Sequence, residues 1–168
     1  EPLPEDSMAA RAASAGRDPL EYVYDVMLEN DASNLLMLPF FNYAEGNHDV
    51  LLEMMRSPVT VLGLGDGGAH CAMICDASMP TYMLSHWVRD RSRGERIGLE
   101  EAVRMLTRDG AELFGLGDRG TLEVGKKADL NVIDMDTVGL DRPYPADDLP
   151  AGGRRLLQGA HGYVATVV

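Results

Sequence analysis

The sequence lacks the features that mark membrane proteins, disulfide-stabilised domains and nucleic-acid-binding proteins. Only Cys71 and Cys75 are cysteines, so a disulfide framework is excluded and a reduced, cytoplasmic setting is expected. No apolar run approaches the length of about 18 residues that crosses a membrane. Acidic residues outnumber basic ones by 27 to 15, which gives a formal net charge of −12. That charge argues against binding to nucleic acid or to an anionic membrane surface.

The hydrophobic content and the length of the chain are typical of a folded globular protein. Hydrophobic residues make up 45% of the chain, an ordinary share. A length of 168 residues is enough for one sizeable core. The sequence begins with Glu1 rather than Met, so we expect the natural start, with any targeting segment, to lie upstream.

The most informative stretch surrounds Asp66. Residues Thr60–Gly65 form a short apolar run that follows Ser57-Pro58 and ends at a glycine, which predicts a buried strand. Asp66 follows at the carboxyl end of that strand, where parallel α/β folds place their chemistry. Asp66 is therefore the first candidate for a functional residue. The alternative is that Asp66 only shapes an Asp-Gly turn.

Apolar spacing and capping residues predict the helices. They are a helix within residues 1–17, a helix from Asp18 with a core-facing stripe (Leu20, Val23, Tyr24, Met27, Leu28), a helix over Asn47–Arg56 with Val50, Leu51, Met54 and Met55 inward, a helix from Ser78 with Met83, Leu84, Trp87 and Val88 on one face, and a helix over Leu99–Leu106.

The predicted strands suggest two parts. Asn34–Phe41 reads as a second buried strand, and with the helix between it and Thr60–Gly65 it would form a parallel βαβ unit. Asp129–Met135 and Gly162–Val168 are predicted strands, and Gly139–Gly153 a long loop. We therefore predict an α/β part over residues 1–120 and a β part over residues 121–168.

Two further motifs near Asp66 indicate other kinds of binding site, but each matches its pattern only in part. Gly63, Gly65 and Gly68 match the spacing of a dinucleotide-binding fingerprint, but no clean helix follows and no acidic residue ends a second strand about 20 residues on. The residue types of His70, Cys71, Cys75 and Asp76 suit zinc, although their spacing matches no standard zinc site. The alternative is a loop with two buried thiols. His48, His86 and His161 are interpreted as packing or surface residues.

Three blocks carry a family resemblance. Gly65–His70 (Gly-Asp-Gly-Gly-Ala-His), Leu99–Val103 (Leu-Glu-Glu-Ala-Val) and Gly120–Leu130 (Gly-Thr-Leu-Glu-Val-Gly-Lys-Lys-Ala-Asp-Leu) together resemble the C-terminal part of the amidohydrolase superfamily. The nearest branch is the N-acyl-D-amino-acid deacylases, or D-aminoacylases. The resemblance runs over Ala9–Val168, judged by the order of the motifs.

The resemblance implies a (βα)8 TIM-type barrel followed by part of a small β-sandwich, with Asn34–Phe41 and Thr60–Gly65 as the last two barrel strands. It also implies that Asp66 lies at a zinc site of one or two ions, activates the metal-bound water and passes the proton to the leaving nitrogen. Gly67, Gly68 and His70 are then expected beside the substrate. Amide hydrolysis needs such an activated water and a proton for the amine.

Several family features are absent from these 168 residues. The His-x-His pair of the first barrel strand is missing, and so are the metal ligands expected before the seventh strand. The deacylases carry a His-Pro-Arg element whose Arg binds the substrate carboxylate, whereas residues 75–82 read Cys-Asp-Ala-Ser-Met-Pro-Thr-Tyr. Gly65 also stands where the family often has Ser.

The sequence therefore predicts the C-terminal fragment of a metal-dependent hydrolase of a non-peptide amide bond. We expect a small-molecule amide substrate, an inactive and self-associating isolated fragment, and a missing N-terminal part of the same protein as its natural partner. One alternative is a cyclic-amide hydrolase of the same superfamily. The other is a non-catalytic, acidic binding module, which would lack a His-x-His pair upstream.

Overall fold

The computed structural model describes residues 1–39, 41–63 and 65–168. The α-helices are α1 (Met8–Ser14), α2 (Pro19–Ala32), α3 (Asp49–Arg56), α4 (Met79–Tyr82), α5 (Leu99–Leu106) and α6 (Arg108–Leu113). A π-helix, Met83–Asp90, continues α4 without a break, and short 3-10 turns occupy Pro4–Asp6, Asp76–Ser78 and Pro150–Gly152.

The strands are all short. They are β1 (Leu130–Ile133), β2 (Gly139–Leu140), β3 (Tyr144–Leu149), β4 (Gly153–Leu157), β5 (Ala160–His161) and β6 (Tyr163–Val167). They form three two-stranded antiparallel sheets that pair β1 with β6, β2 with β5 and β3 with β4. The described residues contain no closed barrel and no parallel pair.

The chain divides into two compact units, Glu1–Met54 and Met55–Val168. This division lies within α3, far from the boundary predicted near residue 120. The predicted boundary concerns the domains of a complete barrel enzyme, and it stays a prediction.

Local capping starts the helices of the first unit. The Ser7 hydroxyl accepts a hydrogen bond from the Ala10 amide at 3.1 Å. The Asp18 carboxylate accepts from the amides of Leu20 and Glu21 at 2.9 and 3.2 Å, and Pro19 holds the first helical position. These side chains satisfy amides that have no partner within the helix. The helix predicted from Asp18 is thereby confirmed.

The prediction that the apolar stripe of α2 is core is wrong. Leu20 is 80% exposed, Tyr24 63% and Leu28 53%. An apolar stripe is buried only where another element covers it, and within this unit the described residues leave most of the stripe uncovered, with Val23 half-buried. The predicted inward face of α3 is also wrong, since Leu52 is the buried residue of that helix while Val50 and Met54 are exposed.

The core of the second unit forms around the π-helix. Met83, Leu84 and Trp87 are buried, as their spacing predicts, while Val88 is half-buried. Other buried apolar side chains of this unit are Ile97, Ala102, Met105, Ala111 and Val138. The Arg91 guanidinium is also buried, 4.7 Å from the centre of the Trp87 ring, where a cation–π contact offsets part of its desolvation.

The two predicted barrel strands are absent from the described residues. Residues 34–39, 41, 60–63 and 65 have irregular backbone, while Phe40 and Leu64 lie outside the described residues. A buried parallel strand needs hydrogen-bonding neighbours on its edges, and no described strand lies beside either segment. Their apolar side chains consequently remain exposed, as at Met37, Leu38 and Val61.

In the C-terminal part of the chain, the two strand predictions are confirmed and the loop prediction is not. Asp129–Met135 and Gly162–Val168 contain β1 and β6, which pair with each other. The prediction of a loop over Gly139–Gly153 is wrong, because this segment contains β2 and β3. The Pro and Gly content of this segment suggested a loop, but it forms part of a hairpin in which Asp147 and Asp148 make ion pairs with Arg154 and Arg155 of β4.

No described helix is both long and apolar enough to span a membrane.

Candidate functional site

Asp66 begins a tightly turned loop in the second unit. Its backbone is left-handed, with φ of 48°, and its carbonyl accepts a hydrogen bond from the Ala69 amide at 3.2 Å. His70 is also left-handed, with φ of 44°, and its carbonyl accepts from the amides of Met73 and Ile74 at 2.8 and 3.1 Å. Two successive turns thus form the backbone of residues 66–74.

The glycines on either side of Asp66 allow the loop to fold back on itself. A Cβ added to Gly65 would lie 2.8 Å from the carbonyl oxygen of Asp76, and one added to Gly67 would lie 3.0 Å from the Ala77 Cβ. A side chain at Gly65 would collide with the Asp76 carbonyl, and one at Gly67 would press on the Ala77 methyl group. Asp66 is therefore held between two points of close backbone packing.

Bonds to the small sheets fix the other side of the loop. The Cys71 carbonyl accepts a hydrogen bond from the Leu156 amide of β4 at 2.7 Å. The Ser78 hydroxyl donates to Gln158 Oε1 at 2.6 Å. Thr81, which is buried, shares a 2.7 Å hydrogen bond with the Tyr163 hydroxyl of β6. Sequence reasoning missed this framework, because its partners lie about 80 residues apart and follow no local pattern.

The Asp66 side chain is exposed and has no hydrogen-bond or ion-pair partner among the residues that the structure describes. A carboxylate held on a shaped backbone and open to solvent is able to accept and return a proton at a bound molecule. Gly67, Gly68 and His70 share this exposed surface. The structure thus groups the predicted site residues on one loop, and their roles stay predictions.

The zinc hypothesis for His70, Cys71, Cys75 and Asp76 gains no support. Among the described residues, no three ligand atoms that include one of these side chains or Asp66 lie within 4.8 Å of one another. Burial, aided by the negative charge of Asp76, raises the pKa of the Cys75 thiol, and a thiol must lose its proton to bind a metal. The described part of the loop does not complete a metal site.

The other histidines are engaged by nearby side chains. The His48 ring meets Tyr43 edge-on with a centroid distance of 5.0 Å. The His86 ring stacks on Tyr82 at 4.6 Å. His161 Nδ1 lies 3.2 Å from a carboxylate oxygen of Asp141.

A groove of about 670 Å³ also lies in the second unit, between residues 55–62 and helices α5 and α6. Its charged side chains have ion-pair partners, and Glu112 pairs with Arg108 outside the lining. The Arg56 guanidinium donates to both Glu101 oxygens at 3.1 and 3.2 Å, and Arg104 donates to Asp109 at 2.6 Å. Asp66 is not among the lining residues. The described residues that line this groove leave no unpaired charge suited to amide hydrolysis, so the Asp66 loop is the better candidate.

Comparison with known proteins decides the family. The family model described as "Amidohydrolase family" matches residues 3–168. The chain belongs to the amidohydrolase family. No solved structure matches it.

Curated relatives support this assignment. An uncharacterized protein of Mycobacterium tuberculosis is 32% identical over 130 residues, which are 76% of this chain and 21% of that protein. N-acyl-D-glutamate deacylase of Alcaligenes xylosoxydans xylosoxydans is 41% identical over 73 residues, 44% of this chain and 14% of the deacylase. Imidazolonepropionase of Agrobacterium fabrum is 30% identical over 136 residues, 77% of this chain and 30% of that enzyme. The chain thus spans less than a third of the length of these relatives.

Proposed function

We propose that the chain is the C-terminal part of a longer, metal-dependent amidohydrolase that hydrolyses a non-peptide C–N bond in a small molecule. The family match over residues 3–168 carries the proposal. The exposed Asp66 carboxylate, held between Gly65 and Gly67, adds a chemical candidate for the reaction. On this proposal, the missing N-terminal part supplies the rest of the barrel.

The proposed substrate is an N-acyl-D-amino acid. The identity of 41% with N-acyl-D-glutamate deacylase supports this class. Residues 75–82 contain no Arg, so a cation for the carboxylate of the amino acid has to come from another part of the protein.

In the proposed chemistry, Asp66 acts as general base and then as general acid. Its carboxylate takes a proton from the attacking water and returns it to the nitrogen as the C–N bond breaks. Exposure of the side chain fits contact with a bound substrate. The turns at Asp66 and His70 keep Asp66 on the same exposed loop as Gly67, Gly68 and His70.

Zinc is proposed as the metal of the complete enzyme. A catalytic zinc site usually has three protein ligands, and the described residues around Asp66 do not supply three. The isolated 168 residues are therefore expected to be inactive.

The test is Asp66→Asn in the complete protein. Asn has nearly the same shape and tolerates left-handed backbone, but it cannot take up a proton. We expect kcat for N-acyl-D-amino acid hydrolysis to fall by about 10²–10⁴-fold, with little change in thermal stability. Zinc content, measured on the same samples, shows whether Asp66 is also a ligand.

Asp129→Asn, which neutralises an exposed carboxylate outside the loop, is the matched control and should retain wild-type kcat. A folded Asp66→Asn protein with wild-type kcat would mean that Asp66 only shapes the turn.

The second candidate is a cyclic-amide hydrolase. It is favoured by the match to imidazolonepropionase, which covers 77% of this chain and whose name refers to an imidazolone, a ring that contains a cyclic amide. Turnover of cyclic amides with no turnover of N-acyl-D-amino acids would favour this candidate. Both candidates place the same proton transfer at Asp66.

A further inference from the structure

The position of Asp66 depends on the chain segment that leads into Ser78. Gly65 packs against the backbone of Asp76, and Gly67 packs against Ala77. Both contacts are too close for a side chain to intervene. Any shift of residues 76–77 therefore reaches Asp66 directly.

That segment ends at a side-chain relay to the last strands. The Ser78 hydroxyl donates to Gln158 Oε1 at 2.6 Å, and Gln158 Nε2 donates to the Asp141 carbonyl at 2.9 Å. A carbonyl oxygen only accepts, so the amide group has to turn Nε2 towards Asp141 and Oε1 towards Ser78. Gln158 is thus oriented at both ends, and Ser78 has to be the donor in their bond.

From this geometry we propose that Ser78 and Gln158 are positioning residues that hold the Asp66 loop in its reactive arrangement. The inference rests on the proposed role of Asp66 as acid and base. The pair does not touch the reacting atoms on this proposal, because it acts through residues 76–77 and the flanking glycines. A side chain without an amide at position 158 loses the bonds to both Ser78 and Asp141. One that places an acceptor opposite the Asp141 carbonyl loses the bond to Asp141.

Two other hydrogen bonds join residues 71–81 to the C-terminal strands, and the test has to distinguish their effect from that of the Ser78–Gln158 bond. The bond from Leu156 to the Cys71 carbonyl is formed by backbone atoms alone, so side-chain substitutions leave it in place. The bond between Thr81 and Tyr163 joins β6 to helix α4, which follows the loop, and not to the loop itself. The Ser78–Gln158 bond is the side-chain link nearest to the segment on which Gly65 and Gly67 pack.

The experiment compares Ser78→Ala, Gln158→Met and the double variant in the complete protein. Met is close to Gln in length and carries no amide. Hydrogen exchange of the amides of residues 65–77 should accelerate by about two- to tenfold, the range expected for loss of one neutral hydrogen bond. Ser78→Ala also removes the 3.2 Å hydrogen bond from the Ser78 hydroxyl to the Cys75 carbonyl, and Gln158→Met also removes the bond to Asp141. Because both substitutions break the shared Ser78–Gln158 bond, the double variant should accelerate exchange by less than the product of the two single effects.

Steady-state kinetics gives the second readout. Misplacement of a reacting group by a fraction of an ångström to about 1 Å lowers the rate by up to about 10²-fold. We therefore expect kcat to fall by about 10–10²-fold while KM changes less than twofold. Thr166→Val is the matched control, since it removes a side-chain hydrogen bond to Asn131 between β1 and β6, away from the loop. It should leave both loop exchange and kcat at wild-type values.

The outcomes separate the two proposals. Wild-type exchange at residues 65–77 in both single variants, or effects that add in the double variant, would overturn the positioning pair. Faster exchange with an unchanged kcat would overturn its role in the reaction. If exchange rises as expected but Asp66→Asn retains full activity, the proposed function of Asp66 fails while the anchoring of the loop stands.

Discussion

At the residue scale, the backbone around Asp66 adopts conformations that few side chains favour. Asp66 and His70 are left-handed, and such residues occur more often at functional sites than elsewhere. Asp tolerates this geometry better than most residues. The sequence allowed the prediction of Asp66 as a functional candidate. It did not reveal that Gly65 and Gly67 are required by packing on Asp76 and Ala77, because that contact depends on the folded loop.

Gly65→Ala tests this packing. The new methyl group would lie 2.8 Å from the Asp76 carbonyl oxygen, so the loop has to shift. We expect the free energy of unfolding to fall by about 1–3 kcal/mol, as for other overpacked sites, and kcat of the complete protein to fall by up to about 10²-fold. Urea denaturation and steady-state kinetics measure the two effects.

Gly63→Ala is the matched control, because a Cβ at Gly63 meets nothing within 4 Å. Its stability and kcat should stay near wild type. Equal losses in the two variants would show that the effect comes from the loss of a glycine and not from the contact with Asp76.

At the scale of elements, helices were more predictable than strands for a physical reason. The starts of α1 and α2 depend on side chains within four residues, as the bonds of Ser7 and Asp18 show. Strands depend on partners far along the chain. Asn34–Phe41 and Thr60–Gly65 have strand-like sequences, but no strand lies beside them among the described residues. By contrast, β1 pairs with β6, whose residues lie at least 30 positions further along the chain.

One long-range ion pair joins the end of α3 to α5, and it makes a prediction about pH. The Arg56 guanidinium holds the pKa of Glu101 below its ordinary value of 4.5. A carboxyl whose pKa is lowered by folding adds stability above its unfolded value, and this stability is lost as the pH falls through the folded value. Glu101→Gln should therefore lower the free energy of unfolding by up to about 1 kcal/mol at neutral pH, and the difference from wild type should shrink as the pH falls below 4.5.

Urea denaturation at several pH values measures this difference. Glu100→Gln is the matched control, because Glu100 shares the first turn of α5 but has no ion pair among the described residues. Both variants lose a favourable charge at the helix start. A Glu101→Gln effect that equals the Glu100→Gln effect at every pH would show that the Arg56 pair adds no stability.

At the scale of the whole molecule, the apolar surface was the main property that the sequence did not predict. Spacing identified the apolar stripe of α2 correctly, but burial depends on what covers a stripe. Leu20, Tyr24 and Leu28 are exposed in the first unit, and so are Met37 and Leu38 after the helix. The core predicted at Met83, Leu84 and Trp87 was found because α5 and the small sheets belong to the same unit.

This surface leads to the last prediction, that the isolated chain self-associates. Contiguous apolar patches on a soluble chain favour contact with another copy, and the α2 stripe has the spacing of a helix–helix interface. Burying one large apolar side chain stabilises a contact by about 1.5–3 kcal/mol, and each 1.4 kcal/mol changes Kd tenfold. Replacing Leu20 and Tyr24 together with Gln should therefore raise the self-association Kd by at least about tenfold.

Light scattering over a range of protein concentrations measures this Kd. The matched control replaces Leu122 and Val124 with Gln, since both are highly exposed but lie outside any helix or strand. That variant should associate as wild type does. A wild-type chain that stays monomeric at every concentration, or a control that dissociates as readily as the α2 variant, would contradict the prediction. Association that depends on Leu20 and Tyr24 would identify the α2 stripe as the contact surface, because the two double substitutions remove the same number of exposed apolar side chains.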